Sequence, residues 1–272
     1  MGAPATEPSF LDINIFMFDI PIYHKSNVAM DLIPNLQSEV FAEYQRRKFY
    51  LDANPEMGRH YRKLSVYNEQ GQHAIVTGDD PMVNISSFPK LQKIIHTHAI
   101  DYLNSLSDFP FSKMLERNWH NYAWWTCFDG GDSYSWHNHS QFFLIATYYV
   151  ENEEEHSPIA FRNPIGNLLE SWLPGKMTGI DTEVIVKPKT GDLMIWPAWL
   201  EHFVYNRTLW DLERNNDPDA RYHRGGNFNK AVAGVDTINT PYDTIRKSIT
   251  INYMKPAELF GYMVKYLEGK NE

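Results

Sequence analysis

Trp136-His137-Asn138-His139-Ser140-Gln141 runs straight into Phe142-Phe143-Leu144-Ile145-Ala146-Thr147-Tyr148-Tyr149-Val150, and this stretch decides the fold. The run from Phe142 to Val150 is far shorter than the ~20 apolar residues a membrane helix needs. Its aromatic and β-branched content reads as a buried strand instead. Runs of the same kind recur on both sides of it, punctuated by Gly, Pro and Asn. They predict strands near Trp119–Phe128, Phe142–Glu151, Ile159–Arg162, Glu183–Lys187, Asp192–Trp196, His202–Asn206 and Lys247–Met254.

Ahead of these strands the pattern is different. Ile13–Ile22 reads as a first strand, edged by Pro21. Asp31–Phe49 reads as a helix, because Ile33, Leu36, Val40, Phe41 and Tyr44 recur at helical spacing with charges on the other side. Phe88–Leu106 repeats that spacing through Leu91, Ile94, Ile95, Ala99, Tyr102, Leu103 and Leu106, with Ser87 as a cap and Pro89 in the first turn. Pro256–Leu267 reads as a last helix, with Gly269 after it. Two helices followed by many strands predict a mainly β protein with flanking helices, an antiparallel sandwich or jelly roll. The expected organisation is one domain over 1–272. Residues 1–118 supply a strand and supporting helices, 119–254 the jelly-roll core with an insert at 208–244, and 255–272 the last helix.

Composition narrows the function. The chain has 272 residues, 25 Lys and Arg against 34 Asp and Glu, and a net charge of -9. That balance disfavours binding to a phosphate backbone, so no nucleic-acid partner is expected, and no membrane span either. The single cysteine, Cys127, excludes a disulfide framework and a cysteine zinc cage. Aromatic residues make up 14%, which suits a deep core or an apolar pocket. Met1–Phe10 has neither the basic nor the apolar region of a signal peptide. Gly2 and Thr6 fit only a loose myristoylation pattern. The sequons at Asn84, Asn138 and Asn206 carry little weight without an export signal. A cytoplasmic location is the expectation.

Eleven histidines invite a metal reading, and geometry sorts them. His96 and His98 lie in a predicted helix, where residues two apart point about 200° from each other, so they cannot share an ion. His137 and His139 lie in extended chain, where residues two apart face the same side and both rings can reach one metal. Imidazole is the commonest metal ligand. His202 is the best third candidate. It follows Gly191-Asp192-Leu193-Met194-Ile195-Trp196-Pro197-Ala198-Trp199-Leu200-Glu201, which reads as a strand, a Pro-containing turn and the start of a new strand.

Four segments together resemble the iron(II)- and 2-oxoglutarate-dependent oxygenases, and most closely the branch found in bacteria and phages. They are His137-Asn138-His139, Tyr148-Tyr149, Gly191 to His202, and Arg246-Lys247-Ser248 with Asn252. They span 119–254, about half the chain, and none is specific alone. The resemblance implies a double-stranded β-helix core with a metal at its open end, and Fe(II) and 2-oxoglutarate as cofactors. It makes His137 and His202 metal ligands. His139 stands where most of the superfamily has Asp or Glu, a departure that makes the site one charge more positive if it ligates. Arg246 matches the anchor for the far carboxylate of 2-oxoglutarate, for which a guanidinium fork is well shaped. Tyr149 matches a position whose hydroxyl assists that arginine.

The function expected is hydroxylation of a small-molecule or peptide substrate. Two alternatives stay open: a three-histidine cupin-type dioxygenase that needs no 2-oxoglutarate, and a non-catalytic metal-containing jelly-roll binding protein. Arg246 discriminates the first of these. Thr208–Thr244 is polar, holds three glycines and shows no period. A connection that long is often a functional cover, so it is expected to lie over the open end of the barrel. Its deletion should then lower turnover more than melting temperature.

Overall fold

The computed structural model describes residues 15–17, 20–53, 75–76, 85–106, 121–128, 134–139, 141–152, 158–164, 183–205 and 246–254. The insert at 208–244 and the helix expected over Pro256–Leu267 lie outside them. The strands are β1 (Ile15–Met17), β2 (Ile20–Lys25), β3 (Ile75–Val76), β4 (Asn121–Phe128), β5 (Tyr134–His137), β6 (Phe142–Glu151), β7 (Ile159–Arg162), β8 (Glu183–Val186), β9 (Leu193–Pro197), β10 (His202–Val204) and β11 (Arg246–Met254). The helices are α1 (Ile33–Ala53), entered through a 3₁₀ turn at Met30–Leu32, and α2 (Phe88–Leu106).

All strand pairs among the described residues are antiparallel. They form a seven-stranded sheet ordered β1-β2-β9-β6-β11-β4-β3 and a four-stranded sheet ordered β5-β10-β7-β8. This is the mainly β, jelly-roll architecture expected, with helices on one face. Alternation along each strand divides the large sheet into two faces. Ala123, Trp125, Cys127, Leu144, Ala146, Tyr148, Val150, Leu193, Ile195, Ile249, Ile251 and Tyr253 form one apolar cluster with Leu36 and Val40 of α1 and Leu91, Ile95, Ala99 and Leu103 of α2. The residues between them face the small sheet. There Ile22, Ile145, Tyr149, Met194 and Trp196 pack with Ile159, Phe161, Val186 and Val204.

Both helices dock through the stripe their sequence predicts, with three differences, one being that Leu106 at the end of α2 is exposed. Phe41 of α1 is 37% exposed; it stacks on Tyr44 and lies beneath the Lys247 ammonium, which also pairs with Glu151. Ser87 begins α2 through its carbonyl, which accepts from the Leu91 N–H. Its hydroxyl and N–H do not cap the helix and instead donate to Glu39 of α1. That carboxylate also accepts from Ser86, so it holds the start of α2 against α1.

The strand boundaries differ from expectation where the chain turns. The single strand expected over Ile13–Ile22 is the hairpin β1–β2, with Met17 opposite Ile20. Pro21 has no N–H to give a ladder, and its carbonyl accepts from the Tyr102 hydroxyl of α2. β3 and β5 carried too little apolar run to be expected. Gly191 holds φ at +85° as the third residue of the turn Lys189–Asp192, a conformation that favours glycine. Its N–H donates to the Tyr149 carbonyl and its carbonyl accepts from Val28. Among the described residues no helix is long and apolar enough to cross a membrane.

Asp192 closes this turn. Its carboxylate accepts from His24 Nε2 on β2 and from the Lys189 N–H, both within 2.9 Å. Burial alone would raise its pKa, but the bonds from His24, Lys189 and Ser26 outweigh that and hold it below the usual carboxylate value. A carboxyl depressed on folding stabilises the protein fully above its unfolded pKa of about 3.9. That contribution is lost as pH falls through the lower folded value. Asp192→Asn should therefore remove roughly 1.5–3 kcal/mol near pH 7 and flatten the acid limb of the stability profile. Urea unfolding between pH 7 and pH 2 measures this. An acid limb as steep as that of the wild type would show that the bonds to Asp192 contribute nothing.

Candidate metal centre and carboxylate pocket

The register of the two sheets builds the site. His137 ends β5 and His202 begins β10, and the two are direct cross-strand partners; His202 also pairs with Phe161 on β7. Partners in register share a face. His139 lies past the end of β5. Its N–H donates to the Ala198 carbonyl at 2.8 Å, and its own carbonyl accepts from Phe142 at 2.8 Å. The chain that leaves β5 is thus pinned to the turn that precedes β10.

The three rings converge. Centroids lie 4.1 Å apart for His137 and His202, 5.2 Å for His137 and His139, and 5.3 Å for His139 and His202. One ring nitrogen of each lies within 4.8 Å of the other two. Nitrogens bound to one ion at about 2.1 Å stand at most about 4 Å apart, so small side-chain shifts would let all three bond to one ion. Among the described residues this potential metal-binding group is three imidazoles without a carboxylate.

Hydrogen bonds select the nitrogen that is left free. His202 Nδ1 donates to the Leu200 carbonyl at 3.1 Å, and His139 Nδ1 donates to Asn252 Oδ1 at 2.9 Å. Each ring then presents the Nε2 lone pair. Burial lowers the pKa of His139, against a smaller opposing effect of the Asn252 bond. For His202 burial acts first and the neighbouring His137 and His139 add to it, so its pKa falls well below the usual imidazole value. Trp196 and Phe161 enclose His202, at 5.2 and 6.2 Å between ring centroids, and Trp124 lies 5.7 Å from His139. Neutral, partly desolvated imidazoles suit a divalent transition metal.

The same face of the large sheet continues away from the histidines as a polar stripe. β11 lies between β4 and β6, and its residues Asn252, Thr250, Ser248 and Arg246 alternate toward the small sheet, all buried. Asn252 is level with Tyr122 and Ile145. Thr250 is level with Trp124 and Thr147, and the two threonine hydroxyls bond at 3.0 Å. Ser248 is level with Thr126 and Tyr149. The Arg246 guanidinium lies over the Tyr149 ring, 4.9 Å from its centroid. Burial raises the pKa of Tyr149 and keeps its hydroxyl protonated. That hydroxyl is buried with no hydrogen-bond partner among the described residues. An orphaned buried donor costs about 1–3 kcal/mol, and a carboxylate beside Arg246 would satisfy it.

The structure thus brings His137, His139 and His202 together, and puts Arg246 beside Tyr149 on the same interior surface. His96 and His98 sit on the other side of the large sheet: His98 Nδ1 bonds to the Tyr23 hydroxyl at 2.8 Å, and the His96 ring lies 6.1 Å from that of Tyr253. Glu201 pairs outward with Arg162 at 3.1 Å. Asn252 and Ser248 had no role assigned from sequence. Their spacing from Arg246, two and six residues along an expected strand, was the signal that places them on its face.

Residues 122–211 match the family model described as "Putative 2OG-Fe(II) oxygenase". This stretch of the core, about a third of the chain, is therefore similar to the 2OG-Fe(II) oxygenases. No curated protein sequence matches the chain. Its structure is similar to that of a Pseudomonas putida prolyl-4-hydroxylase, at 12% identity over 86% of this chain and 92% of that one, with a TM-score of 0.42. It is also similar to AviO1 from Streptomyces viridochromogenes Tue57, at 10% identity over 88% and 91%, with a TM-score of 0.44. A third similar structure is EvdO2 from Micromonospora carbonacea var. aurantiaca complexed with 2-oxoglutarate, at 10% identity over 69% of each chain, with a TM-score of 0.35.

Replacing His137 or His202 with Ala should weaken Co(II) binding by about 100-fold or more, since loss of an outer partner alone costs 10–100-fold. Far-UV circular dichroism should stay that of the wild type. Absorption titration of the purified variants reads this, and an unchanged affinity in both would remove these histidines from the metal site.

Proposed function

We propose that the protein is an iron(II)- and 2-oxoglutarate-dependent oxygenase that hydroxylates a small-molecule or peptide substrate. In this reading His137, His139 and His202 hold the metal, and Arg246 with Tyr149 takes the far carboxylate of 2-oxoglutarate. The observation that carries it is the shared surface. Three convergent imidazoles stand at one end of the β11 stripe, and a buried arginine with an unsatisfied tyrosine hydroxyl stands at the other. When bound, the iron supplies open coordination positions for the 2-oxo acid and O₂, and the redox capacity to oxidise substrate while 2-oxoglutarate loses CO₂ to become succinate.

The chain's own residues do the rest. The Nδ1–H donations of His139 and His202 orient their free nitrogens. Arg246 offers a planar fork that matches a carboxylate and fixes the length of the acid accepted. Tyr149 donates to that carboxylate and packs against the guanidinium. Thr147, Thr250 and Ser248 line the surface between, where they can exchange hydrogen bonds with the bound acid. Trp124, Trp196 and Phe161 restrict water around the imidazoles.

One observation favours a second reading. His139 stands where a carboxylate is usual, and three imidazoles also suit a cupin-type dioxygenase that uses O₂ alone. Such an enzyme has no use for Arg246. The test is succinate release from 2-oxoglutarate with Fe(II) and O₂. Wild type should release succinate even without substrate. Arg246→Ala should bind 2-oxoglutarate about 100-fold more weakly, in line with the roughly 2–5 kcal/mol cost of truncating one partner of a buried charge pair, while keeping its affinity for metal. Wild type that releases no succinate, or unchanged 2-oxoglutarate affinity in the variant, would favour the three-histidine dioxygenase.

A further inference from the structure

We propose that Asn252 is the positioning residue that sets the tautomer and orientation of His139 for metal binding. This rests on reading the three histidines as a metal site. Strand pairing holds the backbones of His137 and His202 opposite each other, and the ring of His202 is directed by its own bond to the Leu200 carbonyl. His139 lies beyond the last residue of β5. The two backbone bonds fix its main chain, and its ring lies between Trp124 and Phe142, contacts that do not choose which ring nitrogen carries the proton. The polar contact that directs the ring is the bond from Nδ1–H to Asn252 Oδ1, at 2.9 Å.

Asn252 is well placed to direct it. It is 2% exposed, and it sits in a strand paired on both sides, level with Tyr122 on β4 and Ile145 on β6. Its oxygen takes the Nδ1 proton, so the lone pair of His139 is on Nε2. A proton on Nε2 instead would remove that lone pair from the site. The amide does this without charge. A carboxylate in its place would draw the proton more strongly and make the imidazole a stronger donor. Asn252 therefore holds His139 as a neutral ligand, in a group that among the described residues has no carboxylate. Because Arg246 lies on the same strand and face, β11 also fixes the distance between this histidine and the carboxylate pocket.

Two readouts separate positioning from packing. The first is the ¹⁵N-imidazole spectrum of the metal-free protein, with His139 assigned by its replacement. Wild type should show the His139 proton on Nδ1. Asn252→Ala should lose that state, and Asn252→Asp should keep it. The second is Co(II) affinity by absorption titration, expected to fall about 10–100-fold in Asn252→Ala and to be restored in Asn252→Asp. Melting temperatures accompany both, and Asn252→Ser, which keeps an acceptor too short to reach, replaces the alanine variant if that one fails to fold. A folded Ala or Ser variant with wild-type tautomer and wild-type Co(II) affinity overturns this inference alone. Wild type that binds no Co(II) overturns the metal reading and this inference with it. Co(II) binding that depends on Asn252, in a protein that consumes no 2-oxoglutarate, overturns the cofactor reading and supports this one.

Discussion

The polar half of the candidate site depends on the two-residue alternation of β11 between β4 and β6. Ile249, Ile251 and Tyr253 point toward the helices and are fully buried there. Ser248, Thr250 and Asn252 point the other way, with Arg246 ahead of them on the same face. A shift of one residue in register would exchange the two sets. It would put an arginine and an amide into the apolar layer under α1 and α2, and put three large apolar groups into the polar stripe. The core beneath the helices thereby fixes where the polar groups of the site must stand.

That stripe is an expensive thing to bury. Burial of an amide, hydroxyls and a guanidinium is tolerated only where partners exist. Some are internal, as between Thr147 and Thr250 and between Asn252 and His139. The Tyr149 hydroxyl has none among the described residues. Polar groups facing an interior that the fold itself does not fully satisfy are what a binding pocket requires. Here they stand on the central strands of the large sheet rather than on loops, so their relative positions are held firmly.

The small sheet plays the complementary part. It brings His137 and His202 opposite each other by strand pairing, with Phe161 and Trp196 packed around His202. Two sheets with separate hydrogen-bond ladders thus contribute to one site. His139 is the link between them: its backbone is tied to the Ala198 turn, and its ring to Asn252 of the large sheet. The same burial that encloses the rings of His139 and His202 also disfavours their protonation.

The sequence by itself determined a good part of this. Runs such as Phe142–Glu151 and Ile159–Arg162 are strands over the residues their composition predicts, and Phe88–Leu106 is a helix over its full predicted length, because apolar periodicity is a local property of the chain. Extended chain at His137 and His139 could be distinguished from helix at His96 and His98 for the same reason. What the sequence did not determine was contact between distant segments. Short strands such as Tyr134–His137 and Ile75–Val76 exist only because a neighbour offers them hydrogen bonds. Pro21 marked an edge in the sequence, but that it lies inside a hairpin and accepts a bond from α2 is a tertiary fact. Ser87 was legible as the start of a helix, yet its hydroxyl is taken by Glu39 of another helix. Asn252 is the clearest case. Its strand was predictable, but its bond to His139 joins residues 113 positions apart, and only the packing of two sheets decides which side chain meets which across that distance.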